Sequence, residues 1–550
     1  MSPSSRVEVG LLVVLATVAQ LPTYALSHVP LDEGQIVQIG HRLLNGDRLY
    51  GDIYTGIFPG IYWLTAGLLG AFGMDVVVTR WAAVFVNTAT MVVLWDLTRR
   101  LAGRSWAWLT PVLYLALAVL SFPAFTMLAY SSVSMLCALA ALLFLLRYLD
   151  AGRFGDGAAA GALVVLCGVF KQNYGGLVLI SGLASFLWSR RDSVLASRSL
   201  GQVLAAPILA GFVVGLPVIG YLAWIGTLGA FVHDTLLVIA HSQLDAFNQP
   251  VPAIFGHHPM NDGRFIFLYS PPLLFNYLLR GTSYATPAVI LEMIGACIRA
   301  GYGGAFLALL AAPVLLVDRS RCAEPGTRNA ARVVLPFACF FFLGLFPSAI
   351  WSHLAVVLVP LLIILVLLAK RVADFTDRVG VVSVWARRAA ITAIACAAIV
   401  LLIKGSKNLR EWHSEPMNLA GASLLVDPRQ ATLWRAATEF LDTCADGEPT
   451  IFIAPDMPLL YMLTQKRNPT PFDLIIPGNV KDDVIVERLR AAGTRCVVYN
   501  PSMYAQFKPF DQLFPETAAY FASAFDVKRR LGPQEGGWLA LERKDGRDGA

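Results

Sequence analysis

The sequence predicts a mainly α, polytopic transmembrane helical bundle of about eleven spans, with external juxtamembrane helices and a small C-terminal α/β domain. Three observations carry this. Of 550 residues, 56% are hydrophobic and 15% charged, whereas soluble proteins are about a quarter charged. Apolar runs near the ~20 residues that a bilayer requires recur between residue 9 and residue 403. After residue 404 the composition becomes that of a soluble domain, so the chain divides into 1–404 and 405–550.

The spans are read at 9–26, 78–97, 105–122, 126–146, 157–170, 175–188 and 203–226, one within 286–317, then 333–347, 353–369 and 389–403. Residues 59–74 are apolar but short, which suits an interfacial segment better than a span. In the eighth run, Arg299 and the GYGG at 301–304 are expected to interrupt the helix and leave an interfacial lead-in. Charge asymmetry orients the map. The connections assigned inside hold 18 Lys and Arg, against 7 in the longer outside connections before residue 404. Positive-inside therefore places the N-terminus inside and residues 27–77 outside. An odd number of spans then places 405–550 outside as well. The N-terminal MSPSSRVEVG shows no clear small-x-small cleavage site, so the first span is read as uncleaved.

Within the tail, residues 429–443 show helical periodicity, with Ala431, Leu433, Ala436, Phe440 and Leu441 on one side. TIFIAP at 450–455 and RCVVYN at 495–500 read as strands, Trp538–Glu542 as a third, and Leu459–Gln465 as a helix start. Cys444 and Cys496 each flank a strand of this sheet, and in an oxidising compartment they are expected to pair.

The net charge of +6 does not point to nucleic acid, because the Lys and Arg sit in short connections between apolar runs. Eight cysteines are scattered without CxxC or a His-rich metal spacing. No cofactor is indicated, and a divalent metal has no sequence support. There is no GxGxxG after a strand and no P-loop.

The chemistry-bearing stretch is residues 27–65, SHVPLDEGQIVQIGHRLLNGDRLYGDIYTGIFPGIYWLT. Asp32 and Glu33 follow the first apolar run by a few residues. Ile36, Ile39, Leu43 and Leu44 then recur at helical spacing, and Asn45-Gly46-Asp47 ends the pattern. Tyr50, Asp52 and Tyr54 come next, followed by Pro59-Gly60 with Tyr62 and Trp63. Carboxylates beside a bilayer are costly unless they work or are solvated. A solvated juxtamembrane loop with idle acids is the plain alternative.

This order of features resembles the C-type glycosyltransferases, with protein O-mannosyltransferases and lipid A aminoarabinose transferases as the nearest branches. The resemblance spans roughly residues 9–370 and is strongest in this loop. It implies a catalytic Asp in the first external loop, here Asp32, with Glu33 beside it and Asp52 and Tyr54 on substrate. It also implies a polyprenyl-phosphate-linked sugar donor, a glycan, lipid or protein acceptor, and inversion at the anomeric carbon. The missing nucleotide signatures agree with a lipid-linked donor. Acceptor hydroxyls are weak nucleophiles and need a base within hydrogen-bond reach, and a leaving phosphate needs donors.

For the phosphate, Lys171 in FKQNYGG stands at a hairpin tip and has a flexible stem. The resemblance places a lysine at a similar tip, and a snorkelling lysine that only fixes the turn is the alternative. His233 and His241 lie eight residues apart, about one face of an α-helix, and His353 follows Trp351. These three are read as substrate-binding, with structural histidines as the alternative. His257-His258 with Asp262 is a weak metal pattern. Relatives often carry a second acid where this chain reads AYSSVSM, with Tyr130, Ser131 and Ser132, and Glu33 or Asp52 could take its part. In the tail, PDMPLLYMLTQKRNPTPFD at 455–473 follows a strand end, where α/β folds bind ligands, though it equally suits packing.

The expected function is thus glycosyl transfer, hexosyl or pentosyl, in a bacterial inner membrane with the active site on the periplasmic side. A lipid-linked sugar flippase is the first rival. Such a transporter would carry charges inside its spans, whereas the acids here cluster in external loops. A non-catalytic envelope-glycan assembly protein is the second rival.

Overall fold

The computed structural model describes residues 3–27, 31–240, 244, 248–252, 268–273, 288–317, 325–379, 384–478, 480–503, 507–532 and 537–544. The chain divides into two compact units. One comprises Met1–Tyr24, Ala82–Ile219 and Asn248–Leu409, and the other Ala25–Trp81, Gly220–Phe247 and Arg410–Ala550.

The helices in chain order are α1 (Pro3–Gln20), α2 (Leu31–Leu44), α3 (Gly60–Phe72), α4 (Val76–Ala102), α5 (Leu109–Leu120), α6 (Tyr130–Ala151), α7 (Phe154–Phe170), α8 (Gln172–Ser189) and α9 (Leu200–Trp224). They continue with α10 (Leu228–Val232), α11 (Ala288–Val317), α12 (Pro325–Phe342), α13 (Trp351–Val379) and α14 (Val384–Trp412). Among the described residues, six helices are long and apolar enough to cross a membrane, and several shorter apolar helices accompany them. At 13 residues, α3 covers about 20 Å, less than a hydrocarbon core.

The first unit is a helical bundle in which α6, α7, α8 and α12 pack on one another. Sequence explains the closest approaches. A Cβ on Gly161 of α7 would come within 2.1 Å of the Pro207 carbonyl of α9, and a Cβ on Gly175 of α8 within 2.3 Å of the Gly168 backbone of α7, so Gly161 and Gly175 must be glycine. Contrary to expectation, α11 runs unbroken through Arg299 and 301–304. A Cβ at Gly301 would sit at ordinary van der Waals distance, 3.7 Å, from the Trp351 ring, so glycine there neither breaks the helix nor is required by its neighbour.

In the second unit, α2 packs against α3, where a Cβ on Gly40 would meet Thr65 at 2.8 Å. The helix starts three residues before Gly34 and takes Asp32 and Glu33 into its first turn. It ends where Asn45-Gly46 predicts, with Gly46 at φ +94°. The tail pairs β1 (Glu415–Pro416) with β2 (Leu425–Val426). A four-stranded sheet follows in the order β3-β4-β6-β5, formed by β3 (Ile451–Ala454), β4 (Cys496–Tyr499), β5 (Phe525–Leu531) and β6 (Trp538–Arg543). Strands β3 and β4 are parallel, and the other two pairings are antiparallel. The helices of the tail are α15 (Pro428–Cys444), α16 (Leu459–Leu463), α17 (Asp482–Ala491), α18 (Phe510–Leu513) and α19 (Pro515–Ala524).

Asp427 caps α15 by accepting from the Arg429 amide. The buried face of α15 is set by Ala431, Trp434, Ala437, Leu441 and Cys444. Leu433, Ala436 and Phe440, expected on that face, flank it and are only partly buried. Trp434 is a large side chain that a stripe of alanines and leucines can absorb, and it rotates the helix toward itself. Cys444 and Cys496 are disulfide-bonded, with Cα atoms 6.0 Å apart, tying the end of α15 to β4.

The bond closes a sequence separation of 52, which in chain-entropy terms stabilises the tail by about 4 kcal/mol. Cys496→Ala is expected to lower the tail's melting temperature markedly and to expose one new free thiol by mass spectrometry. An unchanged melting temperature would show that the tail holds its fold without the bond.

Candidate functional site

The second unit holds most of the sequence-derived candidates. The first turn of α2 carries two acids of different character. Asp32 is half-buried and lies within electrostatic reach of the Tyr62 hydroxyl, which shares a 2.7 Å hydrogen bond with Thr55 Oγ1. Glu33 is 1% exposed, and its Oε2 accepts from Arg80 Nη2 at 2.5 Å. Arg80 is equally buried and also donates to the Leu26 carbonyl at 2.8 Å. Burial pushes the Glu33 carboxyl above its ordinary range, and Arg80 pulls it back. Glu33 Oε1 is buried with no hydrogen-bond partner.

Sequence reasoning counted Arg80 as a loop charge. The structure makes it the cation that holds the first turn of α2. The available signal was an arginine inside an apolar helix, an expensive placement that demands a partner.

The last turn of α2 holds a second organiser. Arg42 Nε donates to Asp47 at 2.7 Å, Nη1 donates to Asp473 and the Thr470 carbonyl at 3.1 Å, and Nη2 donates to the Asp52 carbonyl at 2.9 Å. Asn45 Nδ2 donates to His41 Nε2 at 2.9 Å. Burial lowers the His41 imidazole below its ordinary pKa, against the opposing pull of Asp473 and Asp47.

Asp52 is exposed and accepts from the Arg48 amide at 2.8 Å and from Arg48 Nε at 3.1 Å. Arg48 holds its carboxyl below the usual range. Tyr54 rests on the Phe472 ring with centroids 5.6 Å apart, and its amide donates to the Pro471 carbonyl. Both residues thus close turns and pack. His233 Nδ1 lies 2.9 Å from Asp234 Oδ1 on a π-helical turn, His233–Leu237. The α-helical phase expected between His233 and His241 does not apply to a π turn. His241, with His257, His258 and Asp262, falls outside the described residues.

The 455–473 segment is integral to this unit. Gly34, in the first turn of α2, faces Pro458 and Leu459, which a Cβ would meet at 3.4–3.6 Å. Just ahead of them, at the C-terminal end of β3, stands Asp456. Its Oδ1 is buried with no hydrogen-bond partner, and burial raises its carboxyl to about 7.

The first unit holds Lys171 and His353. Lys171 stands at the break between α7 and α8 and is buried. Its Nζ donates to Ser131 Oγ at 2.9 Å and lies 4.0 Å from the Tyr174 ring centroid and 5.3 Å from that of Tyr130. A snorkelling lysine would be exposed at its tip. His353 Nδ1 donates to the Ser348 carbonyl at 2.6 Å, and its ring is within electrostatic reach of Lys171. Among the described residues, no three His, Cys, Asp or Glu gather as a metal site.

Comparison with known proteins places this architecture. The chain aligns over its whole length with the whole of ArnT from Cupriavidus metallidurans bound to undecaprenyl phosphate, at 16% identity and TM-score 0.51. The fold is that of the C-type glycosyltransferases.

The C-type fold also matches the Archaeoglobus fulgidus oligosaccharyltransferase solved with Zn and sulfate, at 12% identity and TM-score 0.52, over 97% of this chain and 73% of that one. The same organism's AglB, in complex with an inhibitory peptide and a dolichol-phosphate, matches at 12% identity and TM-score 0.52, over 99% and 75%. Residues 58–224 match the family described as dolichyl-phosphate-mannose-protein mannosyltransferase, a segment that begins after α2. No curated protein matches the chain by sequence.

Glu33→Gln leaves the Arg80 charge buried without its counter-ion, and breaking a buried pair costs about 3–5 kcal/mol. The variant is expected to lose thermal stability as well as activity, and Arg80→Gln is expected to do the same. A Glu33→Gln protein that melts like wild type would refute a structural role for the pair.

Asp456 generates a pH prediction. Its folded pKa of about 7 lies above the unfolded value, so the folded state binds more protons between these two values. Stability from this group is therefore full below pH ~4 and is lost as pH rises toward 7. Asp456→Asn is expected to flatten that decline in melting temperature. An equally steep decline in the variant would assign the effect to another group.

Proposed function

We propose that this chain is an integral membrane glycosyltransferase that moves a sugar from a polyprenyl-phosphate-linked donor to an external acceptor, with inversion. The observation that carries the reading is the place of Asp32. It lies in the first turn of a helix pinned by Glu33–Arg80 at one end and Arg42 at the other. The dipole-positive start of a helix favours the ionised carboxylate that a base requires. Two of the C-type structures carry a lipid phosphate, undecaprenyl phosphate in ArnT and dolichol-phosphate in AglB. That supports the same donor class here.

In the proposed reaction the acceptor oxygen attacks the anomeric carbon and a new glycosidic bond forms. The carbon–oxygen bond to phosphate breaks on the opposite face, and its electron pair stays on the phosphate oxygen. The acceptor proton passes to Asp32. Lys171 supplies positive charge to the departing phosphate, as donors aimed at developing charge do in general. The acceptor is a glycan, lipid or protein. The reading places the chain in a bacterial inner membrane with its N-terminus cytoplasmic and residues 405–550 periplasmic, following the 18 to 7 charge split.

Asp32→Asn keeps shape and removes basicity. Turnover with a polyprenyl-phosphate sugar is expected to fall about a hundred- to ten-thousandfold, with the melting temperature nearly unchanged. Lys171→Ala is expected to raise the donor KM and lower turnover, with Lys171→Arg recovering part of both. If purified Asp32→Asn enzyme kept more than about a tenth of wild-type turnover, Asp32 would not be the base.

A further inference from the structure

The first unit contains a cavity of about 550 Å³ enclosed by α6, α7, α8, α9 and Phe337 of α12. Its walls are Leu, Val, Ile, Phe, Ala, Gly and Pro apart from Tyr148, whose hydroxyl is spent on the Val203 carbonyl at 2.8 Å. Several lining residues, among them Leu179, Leu183, Ile208 and Phe212, are largely exposed, so the cavity opens sideways at the helix surface. Both α6 and α9 are apolar enough to span a membrane, so the medium at that opening is hydrocarbon. An apolar cleft of this size loses dispersion contacts if left empty and offers water no partners.

One end of the cleft is polar in a specific way. Phe186 lines the cavity, and Ser189 follows it one turn later on α8. Ser189 is 3% exposed, and its hydroxyl has no hydrogen-bond partner. Nε of the adjacent Arg190 is likewise buried without a partner. From α12, Arg332 brings a third buried orphan, also Nε, while its Nη1 pairs with Asp192. Ser185 Oγ donates to the Val333 carbonyl at 2.8 Å and holds α8 and α12 together at this level. Arg190 reaches the Arg198 carbonyl, and Arg198 Nη1 donates to the Gly152 carbonyl at 3.0 Å, while Arg153 and Arg191 are exposed nearby in sequence. Three buried donor atoms without acceptors, just beyond the lining residue Phe186 on α8 and little more than a turn before the lining residue Phe337 on α12, match a phosphate with an alkyl tail.

We propose that this cleft is a structural binding site for one anionic membrane phospholipid, with an acyl chain between α6, α7, α8 and α9 and its phosphate on Ser189, Arg190 and Arg332. The site goes beyond the transfer reaction and does not depend on it. A polyprenyl phosphate has similar parts, but position argues against it. Lys171 stands at the far end of α7, and the 17 residues of that helix cover about 25 Å. The cleft's polar end adjoins the arginine-rich connections, whereas the proposed donor site lies at the opposite end of the helix. Arginines alone would reflect only membrane orientation. The apolar cavity and the orphan donors are what make this a site.

The test uses the purified full-length protein in mild detergent with equimolar phosphatidylglycerol and phosphatidylcholine of matched acyl chains, read by native mass spectrometry. One phosphatidylglycerol per chain is expected to be retained, at least tenfold over phosphatidylcholine. Gly182 lines the cavity, and an added Cβ there meets no atom within 4 Å. Gly182→Phe puts an aromatic ring at the wall of the slot and is expected to fill it and abolish retention. Arg190→Gln leaves the slot intact and is expected to reduce the preference to near unity while some lipid remains. Equal retention of both lipids by wild type overturns the proposal. Wild-type retention in both variants overturns it too, as does displacement of the phosphatidylglycerol by equimolar undecaprenyl phosphate.

Discussion

A carboxylate and a guanidinium removed from water are tolerable only together. Glu33 and Arg80 are each 1% exposed and meet at 2.5 Å. Each ion alone would cost several kcal/mol to desolvate. The pair thereby fixes which way the first turn of α2 faces. Asp32 and Glu33 are adjacent, and neighbouring residues on a helix point about 100° apart. With Glu33 turned inward to Arg80, Asp32 is turned toward Tyr62 and the half-exposed side. The second anchor of Arg80, the Leu26 carbonyl, holds the chain ahead of α2, and Leu26 itself bridges to Leu425 of β2. The position of the proposed base is thus set by a pair that takes no part in the chemistry.

The other end of α2 is governed by Arg42 on the same principle. One guanidinium satisfies Asp47, the Asp52 carbonyl, the Thr470 carbonyl and Asp473. Asp473 is further held by Asn468 at 3.0 Å. A planar fork with five donors suits such a junction, and a lysine would not replace it. It also explains the NGD and Tyr-x-Asp sequence. Gly46 supplies the left-handed turn, Asp47 reaches back to Arg42, and Asp52 closes on Arg48. Asp52, which looked available in the sequence, is therefore committed to Arg48 of its own loop, and Asp47 to Arg42 of α2.

Much of this was legible in the sequence, and the gaps have physical causes. Hydrophobic runs and turn residues located α2, its stop, the short α3 and three of the four strands in the main sheet. Strand β5 was missed because Phe525–Leu531 buries only its two ends and carries Lys528, Arg529 and Arg530 between them, as an edge strand does to resist pairing. The interruption expected in α11 failed because glycines inside a long apolar helix weaken it without breaking it. The face of α15 was misjudged because Trp434 outweighs the smaller residues around it. Least legible were the partners. Nothing local joins Glu33 to Arg80, or Arg42 to Asp473, since both pairs depend on the fold. The resemblance to C-type enzymes named Asp32 but gave no reason why its neighbour should be buried.

The departure at residues 130–132 gains meaning from Lys171. Where related proteins often carry an acid, this chain offers Ser131, which accepts a hydrogen bond from the lysine at 2.9 Å. A carboxylate in that place would pair with the ammonium and cancel its charge. A hydroxyl satisfies one of its protons and leaves the charge in being. The Tyr174 ring, 4.0 Å away, adds a cation–π contact that also leaves the charge intact. A hydroxyl acceptor and an aromatic ring thus meet the buried lysine without bringing a second charge to it, which suits the phosphate contact proposed for it.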